Sequence, residues 1–341
     1  MGKKKLVEPQ RIRRPGGGRP NKEATTPELK EHLAEVVESH TAGCPVAGVR
    51  WTYLRSSELV EQLLNRGIQV SVHVIDRLLA QAGIGRRKLA KKETMKADIP
   101  GRDDQFKIIQ GYKSSFLQNG YPVLSLDVKK KEMLGRFYRS GQVYGDQEIT
   151  CYDHDFASFS TGKVVPYGVY DVGRNEGHML LGQSADTAEF NLACLRQYWD
   201  HHGSKIYDGD HPILLLVDGG GSNGSTNRLF KQELQDWVDE IGRIVRVAHF
   251  PPYCSKYNPI EHRLFPFITR AWEGVMLDSL QTMIQLIESR TRNLKCGIKI
   301  FVEAMTRVFH AGVAVFDNYL ESCNIIHDPV NGKWNYQVIP I

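Results

Sequence analysis

The feature of the sequence that most constrains the fold is an uninterrupted apolar run, Ile213-Leu214-Leu215-Leu216-Val217, which ends directly in Asp218. A run of this kind is typical of a strand that is buried on both faces, as in a parallel sheet covered by helices. A shorter apolar segment, Val123 to Leu126, ends in Asp127 in the same way. Because ligand sites of α/β sheets gather beyond the carboxyl ends of such strands, the two aspartates are candidates for one site.

The pattern around these two segments alternates between strands and helices from about residue 105 onward. Residues 164–172 and 178–183 have the pattern of a hairpin, and helices and strands then alternate up to a helix that begins near Pro259. This order predicts an α/β fold with a mixed sheet and flanking helices over residues 105–300. Residues 301–341 are predicted to form a C-terminal extension.

The net charge of +5 is spread unevenly, because residues 1–22 contain eight basic side chains and one acid. The segment from Arg14 to Pro20 cannot continue a helix, since proline lacks the amide hydrogen and glycine loses too much entropy. We therefore predict a basic arm over residues 1–25, in which Arg13, Arg14 and Arg19 contact the minor groove of DNA. A flexible linker has the same composition and stays an alternative.

Residues 26–95 are predicted to form a small all-α region of three helices, which begin at Thr26, Ser57 and Ser71. A turn of about four residues separates the last two helices, which is the spacing of a helix-turn-helix. The candidate DNA contacts are the outward residues of the last helix and the basic run after it: Ser71, His73, Arg77, Arg86, Arg87 and Lys88. An ordinary helical bundle is the alternative.

A third acid, Glu261, follows Pro259, which favours the first turn of a helix, so Glu261 is expected to face the same end of the sheet. Three carboxylates that converge without a cation repel one another and raise their own pKa values. Hard cations prefer oxygen ligands, and two ions about 3.5–4 Å apart can hold both oxygens of an in-line phosphoryl displacement. The strand context therefore makes Asp127, Asp218 and Glu261 candidate ligands of a pair of Mg²⁺ ions.

Polar residues close to these acids in the sequence are further candidates for contact with DNA phosphates: Lys129, Lys130, Lys131, Lys256 and Asn258. A solvated lysine face produces the same pattern. The glycines at 219–221 are not followed by the Gly-Lys-Ser/Thr of a nucleotide-binding loop, so no nucleotide cofactor is expected.

The six cysteines are scattered without a C-x-x-C pair, which argues against a zinc site and a disulfide framework and fits a reducing cytosol. No apolar run approaches the ~20 residues that span a bilayer, and the basic N-terminus lacks the apolar stretch of a signal peptide. We therefore expect a soluble cytoplasmic protein that associates with the nucleoid when it binds DNA, with no membrane partner.

The stretches around the three acids resemble the ISAzo-type insertion-sequence transposases, a family also described as the Rhodopirellula-type DDE transposase domain. These stretches are Ser125–Glu132, Val217–Gly224 and His249–Phe265. The run Asn258-Pro259-Ile260-Glu261 is also similar to the last acidic motif of mariner-like DDE transposases. The resemblance covers nearly the whole chain and implies a ribonuclease-H-like fold. It also implies that Asp127, Asp218 and Glu261 form the catalytic acidic triad of the family and ligate two Mg²⁺ ions, for which Mn²⁺ can substitute.

The resemblance further implies an enzyme that cleaves the ends of an insertion sequence and transfers the freed 3′-hydroxyl strands to target DNA. Synapsis of two double-stranded ends implies a homodimer or a larger assembly. Members commonly have further helical sequence before the Arg-Pro-Gly-Gly-Gly arm, and this chain begins just upstream of it. Two alternatives stay open: a shortened, transposition-defective protein that only binds DNA, and a stand-alone metal nuclease of the same fold.

Overall fold

The structure is a computed structural model, and it describes residues 21–44, 49–52, 54–85, 99–313, 321 and 323–341, of which 41–44 and 49–52 are described by their backbone alone. The chain divides into two compact units, Met1–Lys92 and Glu93–Ile341. Six predicted DNA contacts lie outside the described residues: Arg13, Arg14, Arg19, Arg86, Arg87 and Lys88.

The N-terminal unit contains the predicted helices together with a small hairpin. Its elements are α1 (Lys22–Thr25), α2 (Leu29–Ser39), β1 (Thr41–Cys44), β2 (Val49–Thr52), α3 (Ser56–Asn65) and α4 (Val72–Gln81). α2, α3 and α4 bury one apolar face each, with Leu29, Leu59 and Ile75 fully buried. β1 and β2 pair antiparallel, so this region is not purely helical as predicted. Neither strand is long or alternating enough to stand out in the sequence.

The second unit is built on a nine-stranded sheet. Its strands are β3 (Val123–Val128), β4 (Glu132–Leu134), β5 (Gly162–Asp171), β6 (Glu176–Gly182), β7 (Ile213–Val217), β8 (Val245–His249), β9 (Lys299–Met305), β10 (Ile325–His327) and β11 (Asn335–Val338). The order is β10-β11-β8-β7-β3-β5-β6-β9, with β4 paired to β5. β3, β7 and β8 run parallel, and β5 is antiparallel to both β3 and β6. The sub-order β6-β5-β3-β7-β8 with β5 reversed is the ribonuclease-H-like arrangement, which confirms the expected fold.

Helices cover both faces of this sheet: α5 (Arg102–Gln118), α6 (Ala188–Tyr198), α7 (Ser204–Ile206), α8 (Arg228–Ile241), α9 (Pro259–Arg263), α10 (Phe265–Ala271) and α11 (Leu280–Thr291). The residues of β7 are buried in two hydrophobic cores, one on each face of the sheet. The continuous apolar run, which does not alternate with polar residues, predicts this burial on both faces. Ile213, Leu215 and Val217 pack with α6 and α8, whereas Leu214 and Leu216 pack towards α5.

The sheet continues beyond the predicted boundary at residue 300, which falls inside β9. β11 pairs with β8, and Tyr336 and Val338 of β11 are buried in the main core. Residues 335–338 therefore belong to the sheet rather than to a separate extension. Within the described part of the chain, no helix is both long and apolar enough to cross a bilayer.

Candidate active site at the ends of two parallel strands

Asp127 and Asp218 lie at the same edge of the sheet, as their positions after apolar segments predict. β3 and β7 are neighbouring parallel strands, and their register pairs Leu126 with Val217. The next residue along each strand is the aspartate. The Asp127 side chain is mostly buried, with 8% of the residue exposed, and one of its oxygens accepts a hydrogen bond from the Val128 N–H at 2.8 Å.

The first turn of α9 is attached to β3 by three hydrogen bonds. The Ser125 hydroxyl donates to Asn258 Oδ1 and accepts from the Ile260 N–H at 3.0 Å. Asn258 Nδ2 donates to the Leu126 carbonyl at 3.0 Å. These bonds place Glu261 beside Asp127. Asn258 is fully buried, so the predicted contact of its side chain with DNA is wrong, and its role is to position α9.

The three acids interact electrostatically. Burial, followed by repulsion from Asp218 and Glu261, raises the pKa of Asp127 to about 8. Burial, followed by repulsion from Glu261 and Asp186, raises the pKa of Asp218 to about 6. Carboxylates that repel one another in this way are stabilised when they become ligands of a hard divalent cation. Among the described residues, no group of three His, Cys, Asp or Glu side chains is arranged so that it could hold a metal ion without a change of conformation. Asp127 is nevertheless coupled to both other acids.

The backbone of Asp218 is held by a buried histidine, His249, which is the first residue of the motif stretch that contains Glu261. His249 Nδ1 lies 3.1 Å from the Asp218 carbonyl, and Nε2 lies 3.1 Å from the Tyr336 hydroxyl. Because a carbonyl only accepts, Nδ1 carries the hydrogen and Nε2 accepts from Tyr336. Burial lowers the pKa of His249 to about 4, which keeps the ring neutral at neutral pH.

A second buried pair supports the same histidine. Gln105 Nε2 donates to the His249 carbonyl at 2.9 Å, and Gln105 and Asn335 exchange two amide hydrogen bonds of 2.7 Å each. Both amides are fully buried. α5, β8 and β11 are thereby joined behind Asp218. Periodicity marks apolar faces and says nothing of which amides become buried, so these residues were missed.

The glycine-rich loop after Asp218 lies close to the backbone of the next strand. A Cβ on Gly219 would come within 2.8 Å of the Phe250 carbonyl oxygen, so only glycine fits there without a shift. The Ser222 hydroxyl donates to Asp186 at 2.6 Å and accepts from Asn191 at 2.8 Å. Asp186 also pairs with Lys131 at 3.1 Å. The loop is therefore fixed to the start of α6.

The predicted basic contacts near the acids differ in their exposure. Lys129 is only 10% exposed in its side chain, pairs with Glu132 at 3.3 Å and lies over the Trp272 ring, so a contact with a phosphate would require this pair to open. Lys131 forms an ion pair with Asp186. Lys130 and Lys256 are exposed.

In the N-terminal unit, Ser71 and His73 at the start of α4 are exposed, as predicted for contacts to DNA. Arg77 is held instead by Glu23, with both carboxylate oxygens 2.7 Å from Nη2. Release of Arg77 to a phosphate would therefore require the loss of this ion pair.

A ribonuclease-H-like sheet that carries three acids at one edge places the protein in the class of nucleic-acid-processing folds to which the DDE transposases belong. The family model described as "Rhodopirellula transposase DDE domain" matches residues 32–340. The chain therefore belongs to this family of transposases. A search of curated proteins finds no match.

Solved structures of the Mos1 transposase are also similar to the chain, at low identity. The Mos1 paired-end complex with the left transposon end has a TM-score of 0.44 and 13% identity, and the match covers 84% of this chain and 76% of that chain. The Mos1 strand transfer complex has a TM-score of 0.42 and 15% identity, with 84% and 73% covered. The catalytic domain of Mos1 has a TM-score of 0.40 and 14% identity, with 61% and 88% covered.

Proposed function

We propose that the protein is the DNA transposase of an insertion sequence, which cleaves the ends of its element and joins the freed 3′-hydroxyl strands to target DNA. The observation that carries the proposal is the convergence of Asp127, Asp218 and Glu261 at one sheet edge in a member of a DDE transposase family. Double-stranded DNA is the substrate at both steps, and the synapsis of two ends requires a homodimer or a larger assembly.

The carboxylates of Asp127, Asp218 and Glu261 are oxygen ligands of the kind that divalent cations such as Mg²⁺ prefer, and they are suited to hold two of them. Asp127 is coupled electrostatically to both Asp218 and Glu261, so these three carboxylates are the residues that would hold the ions. When bound, the ions would supply charge neutralisation at the scissile phosphate and lower the pKa of a water molecule. Mg²⁺ is the proposed ion, with Mn²⁺ as a substitute, since both accept oxygen ligands.

The residues of the chain contribute position and charge. The Val128 N–H donates to one oxygen of Asp127 and so holds its carboxylate in place. His249 fixes the turn that carries Asp218, and Asn258 fixes the turn that carries Glu261. Because each acid is attached to the sheet through backbone hydrogen bonds, the three can keep one geometry for cleavage and for joining.

A joining assay tests the proposal and separates it from its alternatives. The full chain would be incubated with Mg²⁺, a labelled duplex that carries the inverted repeat flanking the coding region, and a supercoiled target plasmid. A transposase yields cleaved ends and covalent joint products, and Asp218→Ala loses both while DNA binding persists. Hydrolysis without joint products would indicate a nuclease, and binding without cleavage would indicate a DNA-binding protein. Joint products formed by Asp218→Ala would falsify the assignment of the triad.

Lys256 provides a further prediction, because it is exposed next to α9, with its ammonium group 5.1 Å from the centre of the Tyr257 ring. If Lys256 meets one DNA phosphate, Lys256→Ala should reduce the slope of log affinity against log salt by about 1. Fluorescence anisotropy over a salt series measures the slope. Lys295→Ala is the matched control, since Lys295 is exposed in the loop before β9, at the amino ends of the parallel strands. Equal slopes for the two variants would remove Lys256 from the DNA interface.

A further inference from the structure

The strand β9 forms one edge of the large sheet. It pairs with β6 on one side, and no described strand pairs with it on the other. All seven residues of β6 are buried, whereas Met305 is the single buried residue of β9. β9 contains no proline, which would remove a backbone N–H from a further ladder. It therefore presents an edge that is seven residues long.

The pairing with β6 shows which backbone groups of β9 face outward. The Lys299 N–H donates to the Asn175 carbonyl at 3.3 Å, on the β6 side. In a parallel ladder alternate residues bond to the same neighbour, so residues 299, 301 and 303 bond to β6. The N–H and C=O groups of Ile300, Val302 and Ala304 consequently point away from the sheet. Gln197 Nε2 donates to the Ala304 carbonyl at 3.2 Å, which places the end of any further ladder near Ala304.

The side chains of β9 form complementary pairs when two copies of the strand are related by a two-fold axis at Phe301. If two β9 strands pair antiparallel with Phe301 opposite Phe301, Lys299 of each copy lies opposite Glu303 of the other. These are non-hydrogen-bonded positions, where side chains approach most closely, and aromatic and opposite-charge pairs stabilise such positions. Ile300 and Val302 then exchange four backbone hydrogen bonds across the two copies. We propose that β9 is the surface on which a second copy of this chain docks, with a two-fold axis at Phe301.

The charges on β9 suit this pairing. The Lys299 side chain is 70% exposed and lies 3.4 Å from Glu176, which is buried and also pairs with Arg174 at 2.9 Å, so Glu176 keeps a cation beside it if Lys299 turns to another carboxylate. Burial alone would raise the pKa of Glu303, but hydrogen bonds from Gln197, His202 and His201 lower it to about 2. Glu303 is thus ionised at neutral pH. Phe301 keeps 39% of its surface exposed, which a second Phe301 would cover.

If β9 of one copy pairs with β9 of a second copy, neither strand has an edge left for a third copy, so the assembly stops at a dimer. An interface in which one patch meets the same patch gives a dimer, whereas β9 against the other edge strand, β10, would give open chains. β10 has three residues and offers a much shorter ladder than β9. The surface requires neither DNA nor a metal ion, so its test does not depend on the proposed function.

Cross-linking at the two-fold axis tests the register. Phe301→Cys, made in the full chain with Cys296→Ser to remove an exposed thiol, should give a dimer on a non-reducing gel after mild oxidation. Cα atoms about 4.5 Å apart lie within the range of a disulfide. Val308→Cys in the same background is the control, because Val308 is 56% exposed and lies outside the strand. Equal cross-linking of both variants, or a monomer at every concentration in sedimentation, would overturn the proposal.

A backbone variant tests the ladder itself. Val302→Pro removes an N–H that faces outward and none that bonds to β6, and proline is tolerated in edge strands at such positions. The dissociation constant of the dimer, measured by sedimentation, should rise at least about tenfold, while Val302→Thr, which keeps the shape and the N–H, leaves it near the wild-type value. Circular dichroism and melting temperature check that Val302→Pro is folded. An unchanged dissociation constant in folded Val302→Pro, or open-ended oligomers, would contradict pairing through β9.

Discussion

Asp127→Asn is expected to abolish DNA strand cleavage while making the metal-free protein more stable. The amide keeps the shape of the side chain but removes the charge that would hold two cations. The loss of transition-state stabilisation should lower the rate of cleavage by about 10³-fold or more, since metal ions contribute several kcal/mol. DNA binding, measured by anisotropy in Ca²⁺ or without metal, should stay within about twofold of the wild type, because Asp127 is buried among acids.

The gain in stability follows from the sign of the pKa shift of Asp127. Its folded-state pKa of about 8 lies above the ordinary value of 3.8, so the folded protein binds the proton more tightly than the unfolded chain. The free energy of unfolding of the metal-free wild type should therefore fall as the pH rises between these two values. Asp127→Asn lacks this contribution. At pH 8 we expect it to melt about 2–6 °C higher than the wild type, from a gain of about 1–2 kcal/mol.

Two controls separate this explanation from a general effect of the amide. Asp146→Asn, at an exposed position in the segment between β4 and β5, should change neither the cleavage rate nor the pH dependence of melting. Mg²⁺ should raise the melting temperature of the wild type and leave that of Asp127→Asn nearly unchanged. A wild-type melting curve that does not depend on pH from 5 to 8 would contradict the raised pKa that burial and the neighbouring acids give Asp127.

The acids could be predicted from the sequence because strand ends leave a local signal. An apolar run that stops at an acid is visible in five residues, and β3 and β7 then bring Asp127 and Asp218 to one edge through their parallel pairing. Glu261 was predicted from a proline at the start of a helix and from the resemblance of its motif. The positions of all three thus followed from short segments of chain.

The groups that hold the acids in place could not be predicted, because they depend on contacts between distant segments. Asn258 reaches Leu126 across 132 positions, and Gln105 reaches Asn335 across 230. A polar residue beside a catalytic acid has the same local pattern whether it meets DNA or the sheet. This is why Asn258 was assigned to DNA and is instead bonded within the protein. The place of β11 in the sheet depends on pairing with β8, which no local pattern shows.

Asn258→Ala is therefore expected to impair both stability and activity. It removes the acceptor of the buried Ser125 hydroxyl and the donor to the Leu126 carbonyl. Unsatisfied buried groups of this kind should lower the free energy of unfolding by about 2–4 kcal/mol. The first turn of α9 would also shift relative to β3, and a displacement of Glu261 by about 1 Å should lower the cleavage rate by about 10²-fold.

A core truncation of similar cost distinguishes positioning from instability. Met283→Ala empties a buried site in α11, and it should cost about 2–5 kcal/mol without touching the acids. At a temperature where both variants are fully folded, Met283→Ala should cleave DNA at nearly the wild-type rate and Asn258→Ala should not. In a double-mutant cycle, Ser125→Ala and Asn258→Ala should couple by about 0.5–3 kcal/mol in stability, because the two side chains share one hydrogen bond. If the cleavage rates of Asn258→Ala and Met283→Ala fell equally, Asn258 would be a structural residue without a specific effect on Glu261.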